Sequence, residues 1–181
     1  KANAAGAVSF AVANASYAGV LSAGVAGTLP GCELGIGDPA VIRHAMLADE
    51  GVQTEAAFID LVELGFPPVA GADPRFGSEV RFRERLASIG PACDIATVST
   101  CSGTDQGAAR IASRTGAWLE DMETAAVAIA CLRLGIPWCG VRVVSNTTGD
   151  RSRQVWDIPR AIEVLGHVIG RSLASITSTG V

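Results

Sequence analysis

Residues 137–145, PWCGVRVVS, are apolar at every position except Arg142 and the closing serine. They follow the helical pattern METAAVAIACLRLG after a single residue. A strand that is apolar on consecutive positions has both faces covered, and a helix delivered directly into it is the arrangement that covers one of them. In that helix Met122, Ala125, Ala126, Ile129, Ala130 and Leu134 recur at helical spacing, and Gly135 is the stop. The alternation extends in both directions. Upstream lie a strand at 93–100, a helix at 104–113 and a short strand at 117–121; downstream a last helix, 158–176, would pack through Ile158, Ile162, Leu165, Ile169, Leu173 and Ile176. The expected class is α/β, with a central mixed and largely parallel sheet flanked by helices.

The amino-terminal half is less regular. Residues 1–16 are Ala-rich and helical in pattern, but they start without a capping residue, so an element is expected ahead of them. Strands are expected at 18–24 and 39–47, loops and short pieces over 48–77, and a serine-capped surface helix at 78–88. At 181 residues, about half of them apolar, one domain over 1–181 is expected. The fourteen Lys and Arg are dispersed in a chain of net charge -4, which argues against nucleic acid. No apolar stretch reaches the roughly 18 residues of a membrane span, and no signal peptide opens the chain, so a soluble cytoplasmic protein is expected. Five cysteines without a C-x-x-C pair, with only His44 and His167 as companions, predict reduced thiols, no metal and no cofactor. Cys131 and Cys139 read as core fillers; Cys101, in STCSGT, stands at a strand end.

Ligands of such sheets lie at the carboxyl ends of strands, which directs attention to SAGVAGT, STCSGT, LEDME and VVSNTTGD. Arg142 needs an opposite charge or a cleft, because burying it unpaired costs several kcal/mol. The two-residue period puts Arg142, Val144 and Asn146 on one side of the strand. Glu123, at the start of the preceding helix, is a candidate anion for Arg142 or for a ligand, and equally a partner of the helix dipole. Asn146 near Gly149 reads as a turn residue or as an amide addressing a purine edge. Met122 alone reads as core. The loop GVAGTLPG lacks both the P-loop and the dinucleotide glycine pattern, leaving close backbone approach to a ligand.

In order along the chain, SAGVAG, ADEG, EDMETAAVAIA and VRVVSN resemble the purine nucleoside phosphorylase and nucleosidase superfamily, on its methylthioadenosine/S-adenosylhomocysteine nucleosidase branch. LADEGVQTEAAFIDLVELGFP and SNTTGDRSRQVWDIPRA are most similar to its futalosine hydrolases. The resemblance implies hydrolysis of the N-ribosyl bond of futalosine with release of hypoxanthine, in menaquinone biosynthesis. It places Met122 against the ribose, Glu123 on its hydroxyls, Arg142 beside the attacking water and Asn146 at the base, with Val25, Gly27, Thr100 and Cys101 lining base and ribose. Adenine-specific relatives carry an aspartate at the position of Asn146; the Asn NH2 donates to acceptors such as O6 and N7, which suits an oxo-purine. GVLSAG has no arginine where phosphorylases of the superfamily hold phosphate, so water is the expected nucleophile. The resemblance also implies a homo-oligomer and a first strand carrying a general-base glutamate, which nothing in this chain matches. The alternatives are a methylthioadenosine-type nucleosidase, a nucleoside phosphorylase, or a non-catalytic nucleoside-binding protein. Phe58, Phe66 and Phe76 are candidates to close over the 5′ substituent.

Overall fold

The computed structural model describes residues 1–71 and 73–177 and has the expected alternation of strand and helix. The chain runs α1 (Ala2–Asn14), β1 (Val20–Thr28), β2 (Pro39–Leu47), β3 (Gly51–Gln53), β4 (Phe58–Asp60), β5 (Phe76–Gly77), α2 (Val80–Arg85), β6 (Ala92–Thr97), α3 (Asp105–Thr115), β7 (Leu119–Asp121), α4 (Thr124–Leu134), β8 (Trp138–Thr147) and α5 (Ile158–Thr177). β8 is buried from Trp138 to Asn146, as expected of a run apolar on both faces, with Arg142, Ser145 and Asn146 buried in it.

The main sheet has the order β5-β2-β6-β7-β1-β8, and β8 also pairs with β2, Pro39–Val41 against Val141–Val143. Five strands therefore close a ring, with β5 extending β2 outside it. Parallel pairing carries the long register, Val20 to Thr28 of β1 against Trp138 to Thr147 of β8. The antiparallel contacts of β1 with β7 and of β2 with β8 and β5 are short. The sheet is thus mixed and largely parallel, as expected; its closure was not expected, because an open sheet and a ring bury the same strands. Register shifts mark the bends, between Ile42 and Ala45 of β2 and between Ala26 and Gly27 of β1, and such irregularities add local twist.

Valines 141 and 143 of β8 meet Ala161, Leu165 and Val168 of α5, while Val144 and Trp138 join Ala125, Ala128 and Cys131 of α4 in a second cluster. The α5 stripe is rotated from the expected one. Ala161, Leu165, Val168 and Ser172 are buried, whereas Ile162 and Leu173 are 53% and 47% exposed. The expected serine cap of 78–88 is also absent. Ser78 Oγ donates instead to the Ile42 carbonyl, 2.7 Å away, and α2 starts after Glu79. The glycine-rich segment after residue 24 is strand up to Thr28 and not a loop. Gly135 does end α4, at φ 65°.

Asp94 of β6 is buried and anchors the β2 edge. Arg43 Nε and Arg75 Nη1 donate to it at 2.8 and 2.9 Å, and His44 Nδ1 lies at 2.9 Å. Burial alone would raise its pKa, but hydrogen bonds from Arg43 and His44 outweigh that and hold it below the ordinary aspartate value. Asp94→Asn is expected to cost about 2 kcal/mol, less than the 3–5 of an enclosed pair, since both guanidiniums are roughly half exposed. With the folded pKa below the unfolded one, this contribution is complete above the unfolded value of about 4 and vanishes as pH falls through the folded value. Thermal melts of wild type and variant should therefore converge in acid.

Candidate active site

Arg142 is almost wholly buried and fully engaged. Its Nε and Nη2 donate to Asp121 Oδ2 at 3.1 and 3.0 Å. Nη1 donates to the carbonyls of Ser22 and Val141 at 2.9 and 2.8 Å, and Nη2 also reaches Ser22 Oγ and Thr124 Oγ1 at 3.0 and 2.6 Å. All five N–H groups of a guanidinium are thereby used. Asp121 is equally occupied: Oδ1 accepts from Thr97 Oγ1 at 2.7 Å, and Oδ2 accepts from the backbone N–H and hydroxyl of Thr124, the first residue of α4. The anion for Arg142 is Asp121, the last residue of β7 and two residues before the expected Glu123.

The expectation that Arg142 and Asn146 share a face fails at the register shift. Gly24 pairs with Arg142 and Ala26 with Val144, but Gly27 pairs with Asn146, so Ser145 is an extra residue in β8. A bulge resets the two-residue alternation. A Cβ on Gly24 would meet the Arg142 guanidinium at 3.5 Å, and one on Gly27, three residues along, would meet Asn146 Nδ2 at 2.7 Å.

Gly27 also pairs with Glu120 of β7. Glu120, Gly27 and Asn146 therefore form a row across three strands, and the Asn146 amide and Thr148 methyl lean over the glycine. They line a shallow cleft with Cys101, Ser102, Asp121, Thr148, Gln154 and Trp156. Its enclosed part is about 50 Å³; since a single water takes roughly 10–15 Å³ on such a measure, this holds the edge of a planar group and not a whole nucleoside. Ser145 Oγ donates to Asn146 Oδ1 at 2.8 Å, and Asn146 Nδ2 donates to the Thr147 carbonyl at 3.0 Å. The second Asn146 N–H has no acceptor among the described residues. Glu120 accepts from the Ser102 N–H and hydroxyl at 2.8 and 2.5 Å. Burial raises the Glu120 pKa, the Ser102 hydrogen bonds oppose this, and the charges of Asp49 and Asp121 add to it.

The segment after β8 roofs the cleft. Gln154 Nε2 donates to the carbonyls of Ser102 and Gly149, both at 2.9 Å, and its Oε1 accepts from Trp156 Nε1 at 3.0 Å. Trp156, 45% exposed, stacks under the Arg151 guanidinium and bridges to Asn146 through the backbone. At the mouth, Cys101 Sγ lies 3.5 Å from Met122 Sδ. Met122 is 38% exposed and not core, and Glu123 is exposed beside it as the residue preceding α4. Burial raises the Cys101 thiol pKa, assisted by the charges of Glu120 and Glu123.

Of the residues singled out in the sequence, the structure gathers Asn146, Gly27 and Cys101 in the cleft, with Met122 at its rim through Cys101. Val25 is not there: it packs with Val143 against α5. The Thr100 N–H donates to Asp49 Oδ2 at 3.0 Å; Asp49 also accepts from Lys1 Nζ at 2.8 Å, which ties the 99–100 bend to the start of α1. Phe58 and Phe76 line a separate hollow of about 290 Å³, and Phe66 is 74% exposed. Glu120, Ser102, Gln154 and Trp156 were not foreseen. The signal available for Glu120 was a charged residue inside a strand, the same anomaly that drew attention to Arg142.

Arg142→Met is expected to destabilise the protein by about 3–5 kcal/mol, since Asp121 is left buried and unpaired. The double variant Arg142→Met/Asp121→Leu should lose less than either single change in urea unfolding.

A family model described as the phosphorylase superfamily matches residues 1–176. Among curated proteins, futalosine hydrolase of Acidothermus cellulolyticus is 39% identical over 86% of this chain and 64% of its own length, and that of Thermus thermophilus is 32% identical over 93% and 78%. The chain thus spans less than two thirds of the Acidothermus relative. Among solved structures, 5′-methylthioadenosine/S-adenosylhomocysteine nucleosidase of Neisseria meningitidis superposes with a TM-score of 0.76 at 22% identity, covering 97% of this chain and 76% of that one; at that identity the likeness speaks for the fold. A closed mixed sheet carrying this cleft, matched by the family model almost from end to end, makes the chain a member of the phosphorylase superfamily.

Proposed function

We propose that the protein hydrolyses the N-ribosyl bond of futalosine and releases hypoxanthine, in menaquinone biosynthesis. The observation that carries this reading is Asn146, an amide in the cleft with one N–H unspent, in a chain whose curated relatives are named futalosine hydrolase. Cleavage of such a bond leaves developing negative charge on the departing base and an oxocarbenium-like sugar. A preoriented N–H in a buried site stabilises that charge without reorganising, which is where binding energy lowers a barrier. Asn146 cannot give up a net proton, so the base is protonated through water.

In this reading the ribose lies outside the enclosed cleft, over Cys101 and Met122, with the Glu123 carboxylate accepting from its hydroxyls. Arg142 acts through others: with every N–H engaged, it fixes Asp121 and the first turn of α4 and so sets the position of Met122 and Glu123. The reading includes a homo-oligomer working in the cytoplasm, with no metal or cofactor.

The test is hypoxanthine release from futalosine by the full-length protein without phosphate, alongside inosine and methylthioadenosine. Release from futalosine that does not depend on phosphate is the expected result; turnover only with phosphate, or only of methylthioadenosine, would overturn it. Asn146→Asp is expected to move kcat/KM toward amino-purine nucleosides by about tenfold or more, one hydrogen bond to a charged group being worth about 1.5–3 kcal/mol.

A further inference from the structure

We propose that Glu120 is the second half of the base-reading pair, accepting the N1–H of a 6-oxopurine whose O6 or N7 takes the free N–H of Asn146. This rests on the reading of the cleft as a purine site and names the residue that selects the purine. The placement follows from the register. Glu120 and Asn146 both sit opposite Gly27, so their side chains leave the sheet on one face, from strands two spacings or about 9.5 Å apart. The missing Cβ lets the Asn146 amide and the Thr148 methyl lean over Gly27, where a Cβ would meet them at 2.7 and 3.0 Å. Glu120 and Asn146 both line the cleft that remains, which admits a planar group edge-on.

The chemistry of the cleft is complementary at both ends. Asn146 presents a donor, because its oxygen is held by Ser145 and one N–H by Thr147. Glu120 is held by two donors, both from Ser102, and an ionised carboxylate has about four acceptor positions, so acceptor capacity remains. A 6-oxopurine offers acceptors at O6 and N7 and a donor at N1. A 6-aminopurine offers a lone pair at N1 and donors at the exocyclic nitrogen, which opposes lone pair to carboxylate at Glu120 and, where Asn146 meets the 6-position, N–H to N–H; N7 accepts in both, so the discrimination rests first on Glu120. Buried groups left in such opposition reject a ligand far more strongly than a missing methylene does. Among the described residues no cation pairs with Glu120, and burial disfavours its charge, so a structural ion pair does not account for an acid there. Asp121, its neighbour in sequence, also borders the cleft, but its carboxylate is spent on Arg142, Thr97 and Thr124.

Equilibrium binding of free bases to the full-length protein tests the pair, by calorimetry with hypoxanthine, adenine and 1-methylhypoxanthine, which lacks the N1–H. The wild type is expected to prefer hypoxanthine over both others by about 100-fold or more. In Glu120→Gln the amide can turn either end to N1, and the preference over adenine is expected to fall at least about 30-fold while hypoxanthine still binds. A preference unchanged within about twofold in the variant overturns the proposal, as does wild type that binds 1-methylhypoxanthine as well as hypoxanthine or binds no base. The comparison of hypoxanthine with 1-methylhypoxanthine needs no variant, so it stands if Glu120→Gln does not fold. Failure of the hydrolase reading is distinguishable: base preference as expected, with no release of hypoxanthine from futalosine, removes the reaction and leaves the role of Glu120.

Discussion

The buried ion pair of Arg142 and Asp121 is the joint on which the rest of the molecule is hung. Five hydrogen bonds from one guanidinium connect β8 to β1, to β7 and to the first residue of α4. Desolvating two charges is unfavourable by several kcal/mol each, and only near-complete satisfaction of their donors and acceptors offsets it. What the arrangement adds is definition. A ring of strands joined partly by short antiparallel contacts could slide by one residue; a guanidinium with assigned partners on three neighbouring elements holds the register in which it forms.

That register in turn creates the cleft. Because Ser145 is an extra residue in β8, Asn146 leaves the face occupied by Arg142 and joins the one occupied by Glu120. Two adjacent acids in LED thereby serve different ends. Asp121 points toward Arg142 and is spent on structure; Glu120 points into the cleft, where burial raises its pKa and Ser102 orients it. The 148–157 segment, fastened by Gln154 and covered by the stack of Arg151 on Trp156, completes the enclosure.

Much of the fold was legible because its signals are local. Strand 39–47 was read to the residue, α4 and its glycine stop followed from helical spacing, and the two-sided burial of β8 followed from a run apolar on consecutive positions save Arg142. The site was legible only in part, because pairing is not local. Arg142 was recognised as a buried cation, but its partner Asp121 looked no different in sequence from Glu120 or Glu123. Val25 looked like a loop residue because glycines flank it; β-pairing with β8 overrides their weak strand propensity and places it under α5.

Periodicity, composition and the order of motifs determine that this chain alternates strand and helix around one mixed sheet, that a cation is buried in its most apolar strand, and that it shares its motifs with the nucleoside phosphorylases and nucleosidases. These depend on hydrophobic burial and backbone preference, which act over a few residues and are written in the sequence. Closure of the sheet, the extra residue at Ser145, the choice of Asp121 as counter-ion and the meeting of Glu120 with Asn146 across Gly27 depend on which strands lie side by side. That is settled by the packing of the whole chain, since a single residue of slip exchanges the two faces of a strand.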